Sequence, residues 1–205
     1  MWRRIAVVAL LGYGAWQGWT SRPIERAPGE LAPEEPEQVD AAESPSFDYK
    51  GFRITPLADF RIEARVLGTE RYRLGREAKL SPIDLALGWG PMSDSAVLGR
   101  LDISQGNRFY RYHWDDQPPI PPQTIATSSA NMHMIPARAD IERRLGRLRP
   151  GSVVVVSGKL VLAETGDGWS WRSSLTRADS GAGACELVWV DEVMERAPDA
   201  GTGNR

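Results

Sequence analysis

Few residues in this chain are equipped for chemistry. There is one cysteine, Cys185, and there are two histidines; His133 lies two residues after Asn131 in the stretch "SANMHMIPA". A thiol attacks as thiolate, and a neighbouring imidazole is a common way to form one near neutral pH. Cys185 with His133 as base and Asn131 as its orienting partner would make a thiol hydrolase or transferase. Against that, "CELVWV" puts Cys185, Leu187 and Trp189 on one strand face, and a thiol among apolar neighbours stays protonated. No helix is predicted to start after Cys185 and lower its pKa. The leading expectation is an inert Cys185 and no catalytic residue.

His113, His133 and Cys185 offer no closely spaced ligand pair, so neither a metal nor another cofactor is expected. A second cluster lies in "GWSWRSSLTRADSGAGA". There Trp169 and Trp171 share one strand face, Arg172, Ser174 and Thr176 share the other, and Arg177 and Asp179 sit at the turn. Indole rings beside guanidinium and hydroxyl groups can line a groove for a peptide, a glycan or a lipid head group. The candidate ligand-binding set is Trp169, Trp171, Arg172 and Arg177 with Asn131 and His133. Its plainer alternative is that the tryptophans pack the core and Arg177 pairs with Asp179.

These side chains have to be positioned by strands. "TIATSSANMHMI" reads as one, with Thr127, Ser129, Asn131 and His133 on a polar side and Ala126, Ala130, Met132 and Met134 towards the core. Alternation from Phe60 to Val66 marks another, "RFYRYHW" a third, "SVVVVSGKLVLAE" and "WSWRSSLTR" a hairpin about "TGDG", and "CELVWVDEV" the last. "LSPIDLALGWGPMSDSAVLGRL" is expected to form two short helices, capped by Ser81, with Pro82 at the first helical position, and by Ser93. "ADIERRLGRL" carries Ile141, Leu145 and Leu148 on one helical stripe. The proline-rich "DDQPPIPPQ" reads as a connector. The order fits a mainly β (α+β) fold: a small, partly closed antiparallel barrel, OB-like, with two short helical insertions.

The ends place this domain. Arg3 and Arg4 precede an apolar run from Ile5 to Trp19 with Tyr13, Trp16 and Trp19 as an interfacial belt, so residues 1–20 are expected to be a signal-anchor or transmembrane helix, with an uncleaved anchor favoured over a cleaved signal. The bias of charge puts the chain beyond Trp19 outside the cytoplasm. Residues 21–48 carry eight acidic residues and many prolines and read as a disordered, self-repelling tether. Residues 49–193 form the globular domain, and 194–205 a disordered tail. A net charge of -2 offers no basic excess for a phosphate backbone, so no nucleic acid partner is expected.

"LALGWGPMSD", "SANMHMIPA" and "WSWRSSLTRADSGAGACELVWV" together resemble a family of bacterial membrane-anchored proteins, over most of residues 51–192. The resemblance implies an organisation, single-pass in the inner membrane with the domain in the periplasm, and gives no catalytic role to His133 or Cys185. The expected function is a membrane-tethered binding or accessory module of the cell envelope, whose partners beyond the membrane would be envelope proteins, peptide or glycan. The other two readings are the thiol enzyme and a structural part of an envelope assembly.

Overall fold

The structure is a computed structural model that describes residues 22–41, 44–176 and 185–197. With 46% strand against 16% helix it is mainly β, and its sheet is partly ring-like. The strands are β1 (Glu37–Asp40), β2 (Phe47–Tyr49), β3 (Phe52–Arg71), β4 (Ile83–Gly88), β5 (Asp102–Gly106), β6 (Phe109–His113), β7 (Ser129–Pro136), β8 (Val153–Glu164), β9 (Ser170–Arg172) and β10 (Glu186–Glu195). The helices are α1 (Arg76–Leu80), α2 (Ser95–Leu98), α3 (Pro122–Thr127) and α4 (Ala139–Leu145), with a 3-10 turn at Gly90–Ser93.

Strand β3 is long enough to serve two neighbours. Its first part pairs with β8 from Arg53 to Arg65 and its last part with β4 from Arg65 to Arg71. Register shifts at Pro56/Ala58 and Val66/Gly68 bend it, and a bulge is where a sheet tolerates Pro56, which has no N–H to give. Pairing then runs β3–β4–β7–β10–β8 and returns to β3. All these pairs are antiparallel except β7 with β10, so the expected all-antiparallel arrangement needs one correction. The chain between β7 and β10 passes through α4 and β8, a connection long enough for a parallel return.

Inside the ring, alternate residues of these strands meet Ile141, Leu145 and Leu148 of the α4 region in one apolar cluster. The outer face carries two more. Phe52, Ile135, Leu187 and Trp189 form one with Trp169 and Trp171 packed against it, and Leu67, Ala86, Met92 and Ile125 form the other beneath the β5–β6 hairpin.

Three expectations are overturned. Ser81 and Pro82 do not open a helix: Ile83–Gly88 is strand β4, buried at every position, and the Ser81 hydroxyl donates to the Met134 carbonyl at 3.0 Å. A short apolar run between two strand partners is decided by its neighbours, because its own periodicity is ambiguous. Ser93 is not a helix cap either. Asp94 caps α2 by accepting from the Ala96 N–H, while Ser93 Oγ accepts from the N–H groups of Leu31 and Ala32.

The third correction concerns residues 21–48. The described part of this stretch is docked, not free: β1 pairs with β3 from Glu37 to Asp40, Ala32 is fully buried, and the Ile24 N–H donates to the Pro150 carbonyl. Its few apolar side chains are too sparse to signal a core. What holds it is backbone pairing to a sheet edge, which acidic side chains pointing outward do not prevent. At the other end β10 runs to Glu195, and the Arg196 guanidinium pairs with Glu63 at 2.6 Å, so the ordered unit extends past residue 193. Among the described residues no helix is long and apolar enough to cross a membrane; the expected anchor over residues 1–20 lies outside them, as do Arg177 and Asp179.

Candidate functional site

Strand β7 is extended where Asn131 and His133 fall, but Thr127 belongs to α3, two residues before the strand begins. The polar side of β7 is not solvated. Asn131 is 5% exposed and His133 3%, because the β5–β6 hairpin and Trp171 cover them.

The reason lies in two residues that the sequence pattern does not single out. Asp84 of β4 pairs in register with His133 and is fully buried. Arg108 occupies the hairpin tip: with Asn107 it forms the two-residue link between β5 and β6, both at positive φ (53° and 69°), the arrangement of a type I′ turn. An arginine in left-handed backbone is unusual, and this one is held on all sides. Its guanidinium reaches Asp84 Oδ1 at 2.6 Å and lies 3.7 Å from the Tyr72 ring centre and 5.5 Å from that of Trp171. Its N–H donates to the Tyr72 hydroxyl at 2.8 Å, and its carbonyl accepts from Asn131 Nδ2 at 3.1 Å.

The rest of the cluster closes around this contact. Gln105 Nε2 donates to Asn131 Oδ1 at 2.7 Å, and Gln105 can approach because Gly68 has no side chain: a Cβ there would fall 2.7 Å from Gln105 Oε1. His133 Nδ1 lies 3.0 Å from Asp84 Oδ1 without forming a hydrogen bond to it. The His133 ring stands 4.7 Å from that of Trp171. One buried carboxylate therefore faces one guanidinium and one imidazole beneath an indole. Burial raises the Tyr72 hydroxyl above the ordinary tyrosine range, a trend that the hydrogen bond with the Arg108 backbone opposes.

Cys185 sits at the edge of this group, immediately before β10 and half-buried. Asn131 beside it favours the thiolate, yet burial first, then the negative charges of Glu186 and Asp84, push the thiol up to about 11. The sequence-derived trio is thus brought to one face, with Asn131 at the sulfur and His133 beside Asp84. Its electrostatics are those of a protonated thiol.

The expected groove is divided. Trp171 lies over His133 and Arg108, and Trp169 stands beside it at 6.3 Å, against Phe52 at 5.6 Å and beneath Arg76, whose guanidinium is 5.5 Å from the indole. Both tryptophans are half-buried, whereas Arg172 points to the opposite, exposed side. Asn131 and His133 lie behind Trp171 and cannot line an open groove with Arg172. The exposed cation here is Arg76, beside Trp169, fixed by a two-point ion pair with Asp167 at 2.6 and 3.1 Å. The arginine in "LGREAKL" precedes its partner by ninety-one positions, a separation that no local pattern reveals.

Among the described residues no group of three His, Cys, Asp or Glu side chains is placed to hold a metal ion. No family model, curated protein or solved structure matches the chain, so its function is read from the geometry of the site itself.

Proposed function

We propose that this chain is a membrane-tethered, extracytoplasmic binding or accessory module of the bacterial cell envelope, built on an OB-like barrel. The pairing path supports the barrel: β3, β4 and β7 run in a meander, α4 comes next, and β8 and β10 complete the ring with β7 and β10 parallel. The observation that carries the non-catalytic role is the use made of the polar cluster. Asp84, Arg108, Asn131 and Gln105 are engaged with one another in clasping the hairpin to the sheet, and the adjacent thiol is protonated at physiological pH. The binding surface of this reading is the half-buried indole pair Trp169 and Trp171 flanked by Arg76, with peptide or glycan as ligand.

The second reading, a Cys185–His133 thiol hydrolase or transferase, draws on the placement of Asn131 at the sulfur and of His133 next along the same strand face. Complementation of a strain lacking the gene separates the two. Cys185→Ser is expected to restore the wild-type phenotype and Trp169→Ala to fail while still folding and reaching the envelope. The opposite pattern transfers the assignment to the thiol.

A further inference from the structure

We infer that the arginine-bearing end of the domain, at the α4–β8 connection, is a contact surface for an anionic lipid bilayer; this rests on the membrane-tethered reading above. Three observations meet there. The first is where the described chain begins. The expected anchor ends at Trp19, and by Ile24 the backbone is already docked, its N–H on the Pro150 carbonyl at 2.7 Å. Arg26 Nε then donates to the Gly151 carbonyl at 3.0 Å. Five residues fully extended span at most about 17 Å. The domain therefore meets the membrane with the face that holds Pro150.

The second is charge. Beside this docking point lies an open cleft of about 400 Å³ whose lining includes Arg144, Arg147 and Met194. Arg22 is exposed two residues before the docked Ile24. Of the acids nearby, Glu195 lines the same cleft and accepts from Ser152 Oγ at 2.5 Å, Asp140 is paired with Arg138, and Glu142 and Glu25 stand exposed. Guanidinium groups near a membrane surface are drawn to acidic phospholipids, and each contributes a several-fold gain in the bound population.

The third is the apolar element between the arginines. Met194 is 48% exposed at the end of β10. A flexible thioether flanked by long cationic side chains suits the boundary between head groups and acyl chains, where arginine stems lie along apolar surface and their charged ends reach phosphate. A soluble phosphate ligand would use the charge but not the methionine.

The test uses the full chain reconstituted in nanodiscs of phosphatidylcholine alone or with 30% phosphatidylglycerol (about a third anionic, in the range that attracts basic segments). The readout is amide hydrogen exchange over 143–149. Exchange is expected to slow at least about tenfold in the anionic discs, to recover in high salt, and to lose the difference in Arg144→Glu/Arg147→Glu while Arg144→Lys/Arg147→Lys retains it. Equal exchange in both kinds of disc with the chain firmly incorporated overturns the contact surface and leaves the anchor standing. Failure of the chain to enter neutral discs overturns the anchor and this surface with it. Slowing in neutral discs on addition of inorganic phosphate assigns the cleft to a soluble anion, against the proposal.

Discussion

Arg108, at the tip of a hairpin, places its guanidinium 2.6 Å from the carboxylate of Asp84, which is fully buried on the sheet beneath. Neither charge would be stable alone in that position. Desolvation of a carboxylate is costly, and removal of its partner leaves that cost uncompensated. Arg108→Ala should therefore destabilise the domain by about 3 kcal/mol, measured by urea unfolding followed through tryptophan fluorescence. Asp84→Asn in the same background should recover part of the loss, since the orphaned charge is gone. A cost below about 0.5 kcal/mol for Arg108→Ala, the range of an exposed pair, would mean that water reaches Asp84.

Cys185 provides a chemical test of the same neighbourhood. With its pKa pushed up to about 11, chiefly by burial, only about one thiol in ten thousand is ionised at pH 7. Alkylation of the native chain by iodoacetamide should be slow at pH 7 and climb about tenfold per pH unit until pH approaches 11. In urea the same thiol should react with a midpoint near its ordinary value. Fast native labelling with a midpoint near pH 7 would identify an activated nucleophile.

The elements legible in the sequence are those with their own periodicity. Alternation in "RFYRYH" marks β6, the valine run marks β8, and the stripe Ile141, Leu145, Leu148 marks α4, all three residues being buried. β4 reads as a helix because "IDLALG" is apolar apart from Asp84 and carries a helix-like cap in front. Its strand identity comes from β3 and β7 on either side. The stretch after Arg22 misleads for the converse reason: its composition is that of a tether, and its order comes from backbone hydrogen bonds to partners well removed in sequence, from β3 to Pro150. The site is half legible. Asn131 and His133 stand out as polar groups in a strand, but Asp84 is one carboxylate in an apolar run and Arg108 one arginine in a turn. Their meeting depends on how the hairpin folds back over β4, which neither local sequence encodes.

Tyr110 packs in the apolar cluster under the hairpin and is raised to about 12, mainly by burial, with the hydrogen bond to Ser129 opposing and the neighbouring Tyr112 adding to the rise. The unfolded chain releases this proton near pH 10 and the folded one near 12, so the folded state holds it more tightly. The resulting stability is complete below pH 10 and is lost as pH rises through 12; for a shift of this size it amounts to about 3 kcal/mol. Absorbance titration at 295 nm should show a late-ionising tyrosine that coincides with alkaline unfolding. Tyr110→Phe should remove that late step. A titration complete by pH 11 with the fold intact would show that the hairpin admits water to this hydroxyl.

Gly151 decides whether the chain following Arg22 is a docked segment or a loose tether. Its φ is +91°, and a Cβ there would fall 2.1 Å from the Ile24 carbonyl oxygen; Ile24 and Arg26 are the residues that bond to Pro150 and Gly151. Gly151→Ala thus adds both backbone strain and a collision with the docked chain, a cost of more than about 1 kcal/mol, and the cheapest relief is release of the segment. Limited trypsin digestion should cleave after Arg26 much faster in Gly151→Ala than in the parent. Gly166→Ala, where a Cβ meets nothing within 4 Å, should leave the digestion pattern unchanged. In the parent, Arg26 should resist trypsin until the domain unfolds, because the guanidinium that the protease must capture is held by the Gly151 carbonyl. Cleavage at Arg26 at equal rates in all three proteins would return the segment to the free tether that its composition suggests, and would remove the short link that holds the arginine-bearing face to the membrane.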